Sequence, residues 1–295
     1  MTGQPPSAVW LGGRDPAAPR LHLQHGPIDL IVEAFGPAAE RQRAYEQAVA
    51  RFQDILGVLV SELHELRRPL SKVHPLLRGP VARRMAAACW PYRDVFVTPM
   101  AAVAGAVADE ILQAMRHDTA LTKAYVNNGG DIAFHLAPGE SLRAAVICNP
   151  DLPHLDAVAT LSSEHASRGI ATSGWRGRSF SRGIADAVTI LATNAAMADA
   201  AATMVANAVN IDHPAVERRP ANSLRDESDL GDIPVTVNVG TLPLFAVEEA
   251  LSAGLRRAQD LRRAGLIHAA FLSLQGEHRS IGGETLLASE RKAMG

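Results

Sequence analysis

Residues 169–209 read GIATSGWRGRSFSRGIADAVTILATNAAMADAAATMVANAV, a strand, a polar turn, a second strand and a helix in succession. A short apolar run at Ile170–Thr172 reads as a strand, and a polar turn rich in glycine follows it. Ala187–Ala192 reads as a second strand. The Ala-rich remainder, to Val209, reads as a helix with Asn194 or Thr193 positioned to cap it. Asp199 and Thr203 stand four residues apart, so a carboxylate and a hydroxyl share one helix face. Two such oxygens suit a hard cation such as Mg2+, which keeps several waters and is often completed by substrate phosphates. The same pair also fits a plainer role, with Asp199 favouring the helix dipole and Thr203 bonding back to a carbonyl. Both readings stay open on spacing alone.

Upstream, Leu21–Leu23 and Ile28–Ala34 read as strands about a turn, with Ile28, Leu30 and Val32 alternating. From Ala38 to Arg68 the apolar positions keep three-four spacing, which predicts one long amphipathic helix ended by Pro69. Val81–Ala88 predicts a short helix, Val95–Thr98 a strand, and Ala101–Met115 a small-residue helix with Gly105 inside it. A glycine in a helix interior costs roughly 0.5–1 kcal/mol against alanine, so Gly105 signals close approach of backbone or ligand. Ala124–Asn127, Ile132–Leu136 and Ala144–Cys148 predict three more strands. Downstream, Pro234–Val239 and Ile267–Leu274 predict strands on either side of an amphipathic helix, Leu244–Arg263. Helices and strands are interleaved with no clean linker or repeat. The expectation is one α+β domain over residues 21–283, a mixed or antiparallel sheet covered by helices, with residues 1–20 loose and 284–295 a tail.

The 295 residues carry a formal net charge of −2, so nothing global draws the chain to nucleic acid or to an anionic membrane. The basic groups at Arg67, Arg68 and Lys72 and at Arg256, Arg257, Arg262 and Arg263 read as solvated helix faces. Cys89 and Cys148 lack metal-type spacing and make no disulfide framework. With no signal-peptide pattern and no apolar run long enough to span a bilayer, the expected location is the cytoplasm.

Several short stretches are able to carry chemistry. Asn127-Asn128-Gly129-Gly130-Asp131 places two glycines beside a carboxylate, which suits either a phosphate or ribose contact or an ordinary hairpin turn. Thr172-Ser173-Gly174-Trp175-Arg176-Gly177-Arg178 joins hydroxyls, an aromatic face and guanidinium groups, suited to phosphates and a flat ring or simply to an exposed loop. Asp109 reads as a helical carboxylate. The acidic loop at 226–232 lacks the twelve-residue calcium pattern and reads as turn chemistry. Walker, HExxH, nucleophile-elbow and paired CxxC signatures are absent.

Taken in order, these pieces resemble the ApbE family of flavin transferases, over roughly Asp94–Val239. Ala104-Gly105 through Asp109 resembles the family's Lys-Gly-x-x-x-Asp helix start. Val126–Asp131 resembles its Gly-Gly-Asp turn, and Ala171-Thr172-Ser173-Gly174 its Thr-Ser-Gly turn. Gly183-Ile184-Ala185-Asp186 resembles its Ile-Ile-Asp-Pro segment, Val188–Ile190 its next strand, and Ala198-Asp199 with Thr203 its Ala-Asp-x-x-x-Thr metal motif.

The resemblance implies an α+β fold of that family's type, FAD as substrate or ligand, and Mg2+ held by Asp199 and Thr203. It further implies transfer of FMN from FAD to a Ser or Thr of an acceptor protein. Gly105, Asp109, Asn128, Gly129, Gly130, Asp131, Thr172, Ser173, Gly174 and Arg176 are the implied nucleotide contacts, and Asp186 and Ser173 the catalytic candidates. Two departures stand out: the family's Lys is Ala104 here, and its His-His-Ile-Ile-Asp-Pro segment reads Arg182-Gly183-Ile184-Ala185-Asp186-Ala187, without histidine or proline. That leaves two alternatives, a flavin or nucleotide binder that has lost catalysis and a metal-dependent enzyme on a non-flavin phosphate compound. A homo-oligomeric state is left open.

Overall fold

The computed structural model describes residues 5–12, 19–147, 156–282 and 287–289. Cys148 and His154 therefore lie outside the described residues, as do most of the loose segments expected at the two ends. The chain is α+β, as the patterning implies. By its contacts it divides into two compact units. One comprises residues 1–141, 162–170 and 194–198, the other residues 142–161, 171–193 and 199–295.

The first unit is built on strands β1 (Ser7–Leu11), β2 (Arg20–His25), β3 (Ile28–Phe35), β4 (Lys123–Asn128) and β5 (Asp131–Leu136), in that order and antiparallel throughout. Gly169 and Ile170, which open β8 (Gly169–Ser173), pair with Ala133 and Ile132. Alternation drives this sheet. Along β3, Ile28, Leu30, Val32 and Ala34 are buried while Asp29, Ile31, Glu33 and Phe35 are half-buried, so one face meets helices. Helix α1 (Ala38–Ser61) lays Ala44, Tyr45, Ala48, Phe52, Ile55, Leu56 and Leu59 on that face. The helix expected to run to Arg68 instead breaks at Glu62, and a separate turn, α2 (Leu63–Leu66), completes it. The break has a purpose: the Glu62 carboxylate takes the Arg78 and Gly79 N–H groups at 2.5 and 2.9 Å, just before α3 (Pro80–Cys89). The strand expected at Val95–Thr98 does not form; 3-10 turns at Trp90–Tyr92 and Pro99–Ala102 bracket that segment and lead into α4 (Val103–Met115).

The second unit holds the rest of β8 with β9 (Ala187–Ala192), β12 (Ala269–Leu274) and β13 (Glu277–Ile281) in the order β8–β9–β12–β13. All six residues of β9 and all six of β12 are buried, which marks them as core strands covered on both faces. Helix α5 (Ala195–Ala208) follows β9, and α6 (Leu244–Arg263) packs on β12 and β13. Smaller ladders join β10 (Val216–Pro220) to β11 (Pro234–Val239), and β6 (Ser141–Val146) to β7 (Ala157–Ser162) and β14 (Leu287–Ser289). Near the two ends, Ser7–Leu11 pairs with Arg20–Gln24 and Leu287–Ser289 pairs with Ala157–Ala159. Among the described residues no helix is long and apolar enough to cross a membrane.

Candidate functional site

The start of α5 is closed by protein groups. A helix begins with backbone N–H groups that lack partners inside the helix and draw anions. Asn194 caps as its residue type predicts, its Oδ1 accepting the Met197 N–H at 2.8 Å. The two remaining donors, Ala195 and Ala196, give their N–H groups to Asp109 on α4, at 3.0 and 2.9 Å. Gly105 makes this possible. It lies one turn before Asp109 on the same face of α4, and a Cβ there would stand 2.3 Å from the Ala195 carbonyl oxygen. Gly105 lets α4 approach, and Asp109 caps the helix it approaches. Burial pushes the Asp109 carboxyl above the usual carboxylate range, and the two N–H bonds offset only part of that.

The Gly-Gly-Asp stretch is a two-residue hairpin turn. Asn128 and Asp131 face each other across β4 and β5, and Gly129 and Gly130 between them take φ of 63° and 113°, conformations that glycine adopts without strain. Both glycines are exposed, and Asn127 Oδ1 accepts the Gly130 N–H at 2.8 Å. Asn128 is buried and donates from Nδ2 to the Ala104 carbonyl at 3.1 Å, which ties the base of the hairpin to the start of α4.

The second unit gathers the other candidates at one end of its sheet. Thr172 Oγ1 lies 2.8 Å from Thr189 Oγ1, Ser173 is half-buried where β8 ends, and Gly174 has no room for a side chain, since a Cβ would stand 2.4 Å from the Asp186 carbonyl oxygen. Asp186 is the hub. Its Oδ1 accepts Trp175 Nε1–H at 3.1 Å and Arg176 Nε–H at 2.8 Å, and its Oδ2 accepts the Gln275 backbone N–H at 2.6 Å. Arg176 also lies over the Trp175 ring, 4.5 Å from its centroid. Gln275 carries no signal of function in its residue type. Its positive φ of 48° in the turn between β12 and β13 is the only local trace, a Gln-Gly pair after an apolar strand.

Asp199 and Thr203 are both half-buried on α5, on a stripe continued by half-buried Asn207, while Ala200, Ala201 and Ala202 beside them are fully buried. The pair therefore lies at the margin of the core rather than in a dry seam. Among the described residues no group of three or more His, Cys, Asp or Glu side chains could hold a metal. Two hard oxygens on one stripe fit Mg2+ that keeps its waters and takes phosphate oxygens, and fit poorly a fully protein-caged metal.

The segment that stands where the resemblance expects histidines is bound to the end of α5. Arg182 N–H donates to Asn207 Oδ1 at 2.9 Å and Ile184 N–H to the Val209 carbonyl at 2.8 Å. A Cβ on Gly183 would stand 1.9 Å from the Ala206 carbonyl oxygen, so no side chain fits there. Elsewhere, His135 bonds the Leu121 carbonyl at 3.3 Å and His165 Nδ1 accepts the Ser162 N–H at 2.9 Å, both local structural contacts.

A family model described as AbpE bacteria matches residues 10–280 of this chain. The chain is 37% identical over 142 residues to a UPF0280 protein of Methanococcoides burtonii, an alignment covering 46% of this chain and 55% of that protein. It is 36% identical over 140 residues to a UPF0280 protein of Methanopyrus kandleri, covering 47% and 54%. The match thus spans about half the length of these curated relatives. Among solved structures, an ApbE protein from Thermotoga maritima superposes with a TM-score of 0.52 at 12% identity, covering 92% of this chain and 96% of that one, a likeness of fold.

Proposed function

This chain belongs to the AbpE bacteria family, and we propose on that footing that it is a flavin-transferase-like protein that binds FAD with Mg2+. The observation that carries the reading is the half-buried Asp199–Thr203 stripe on α5, set among six motifs in the ApbE order. Asp199 and Thr203 would hold the ion, and bound there it would neutralise pyrophosphate charge. The loop Thr172–Arg176 supplies hydroxyls, an indole face and a guanidinium to the nucleotide. In the transfer itself the hydroxyl oxygen of an acceptor Ser or Thr bonds to the FMN phosphorus, the bridging P–O bond breaks, AMP leaves with the bridging oxygen, and the hydroxyl proton passes to solvent or base. Cleavage by water follows the same balance.

One observation favours a second reading, a flavin binder without turnover. Gly183 leaves no space for a histidine, and Asp186 already accepts three hydrogen bonds, so the segment that would furnish a general base is committed to structure. Incubation with FAD and Mg2+, followed by chromatography of the nucleotides, separates the two. Release of AMP supports catalysis; retention of intact FAD on the protein supports the binder. Absence of any FAD binding by calorimetry would overturn both.

A further inference from the structure

We infer that Trp175, Arg176, Asp186 and Gln275 form a preset receptor for a phosphate or pyrophosphate group, in which Arg176 reads the oxyanion and Asp186 and Gln275 are positioning residues. A guanidinium presents five N–H donors in one plane, and it recognises a phosphate best when that plane is held before the ligand arrives. Here it is held twice. Asp186 takes the Nε–H at 2.8 Å within the plane, and the Trp175 ring lies against the face at 4.5 Å. Among the described residues Nε is the donor so used, and the Arg176 side chain keeps 29% of its surface exposed, so the Nη1/Nη2 edge is available for a forked contact.

The carboxylate is itself immobilised. Only 11% of the Asp186 side chain is exposed, Trp175 Nε1 shares its Oδ1, and its other oxygen is pinned at 2.6 Å by the Gln275 N–H. Gln275 is pinned in turn: its Oε1 accepts the Leu242 N–H at 3.0 Å and its Nε2 donates to the Gly240 carbonyl at 2.7 Å. Four chain segments, at 174–176, 185–186, 240–242 and 275, are thereby locked around one guanidinium. Such a chain of hydrogen bonds orients the group that touches the ligand, as outer partners do in metal and catalytic sites. The choice of phosphate as ligand rests on the flavin-dinucleotide reading; the geometry of the receptor does not.

The sign of one mutational effect separates positioning from simple electrostatics. A carboxylate beside an anion site repels the anion, so Asp186→Asn by charge alone should tighten binding. If Asp186 orients Arg176, the same change weakens it, because an amide cannot accept from Trp175, Arg176 and Gln275 together. Inorganic pyrophosphate in metal-free buffer, and FAD separately, are titrated calorimetrically into the full chain. The expected result is binding of both by the wild type, with pyrophosphate affinity reduced about tenfold or more in Arg176→Lys and Asp186→Asn and severalfold in Gln275→Gly. Gln275→Gly keeps the left-handed backbone accessible and so isolates the side-chain clamp from folding. Unchanged or tighter pyrophosphate binding in Asp186→Asn, or no effect of Arg176→Lys, overturns the receptor. Pyrophosphate binding without FAD binding sustains the receptor and removes the flavin reading, whereas FAD binding indifferent to Arg176→Lys does the reverse.

Discussion

Asp109 and Ala195 form a helix cap across 86 residues of sequence, the Asp109 carboxylate on α4 accepting the N–H that opens α5 at 3.0 Å. The next residue on α4, Glu110, does something different with the same functional group. It is 9% exposed and ion-paired to Arg51 at 2.8 Å and to Arg84 at 2.6 Å. Two adjacent carboxylates thus meet neutral N–H groups in one case and two guanidinium groups in the other, and their responses to pH have opposite signs.

Burial raises the Asp109 carboxyl above its unfolded value, so its contribution to stability is full below about pH 4 and is lost as pH rises through the folded value. Asp109→Asn removes that titration. The stability advantage of wild type over Asp109→Asn, from urea titrations at pH 4 and pH 7, is expected to be smaller at pH 7. An advantage that grows with pH would show the two N–H bonds outweighing burial.

At Glu110 burial alone would raise the carboxyl, but hydrogen bonds from Arg51 and Arg84 prevail and hold it below the usual range. Its stabilisation is present above about pH 4.3 and is lost as pH falls through the folded value. Glu110→Gln removes the charge that pairs two half-buried guanidinium groups, which among the described residues keep only Asp54 and Gln113 as side-chain partners, and should cost about 3 kcal/mol at pH 7, by urea unfolding, with the deficit shrinking in acid. A cost under ~0.5 kcal/mol would mean that water compensates both arginines.

Restoring a side chain at residue 183 is expected to damage the protein rather than revive a base. Gly183→Ala drives a Cβ toward the Ala206 carbonyl oxygen, which backbone must yield to, at a cost of roughly 1–3 kcal/mol or more. Gly183→His should be worse and should release no additional AMP from FAD. A well-folded Gly183→His with increased AMP release would disprove the close approach.

Asp199→Asn deletes one charge from a half-buried position and should leave the far-UV circular dichroism spectrum unchanged. Mg2+ affinity in the presence of ADP, measured by calorimetry, is expected to fall tenfold or more. Equal affinity in wild type and variant would remove Asp199 from the metal site.

Much of this architecture is legible in the chain itself. Period-two burial at Ile28–Ala34 and three-four spacing from Tyr45 to Leu59 specify a strand and a helix, because a half-buried sheet and an amphipathic helix each repeat at their own interval. Thr193-Asn194 announces a cap, which the structure assigns to Asn194, Gly129-Gly130 a turn, and Asp199 with Thr203 a shared face, since each depends on neighbours within about four residues. The short strands β1, β7, β10, β13 and β14 escaped the patterning. β1 is largely exposed and β10 half exposed, so neither carries an apolar alternation to detect.

The local elements, the order of the glycine turns and the lack of a histidine at 182–183 are all set within short stretches of chain. Tertiary structure alone decided that Asp109 caps α5, that Gly105 and Gly183 are closed off by backbone, and that Asp186 serves Trp175, Arg176 and Gln275 together. The reason is range: the Asp109 and Gln275 contacts join residues 86 to 89 positions apart, where no periodicity connects donor to acceptor and only the packing of helices and sheet brings the two within hydrogen-bond distance.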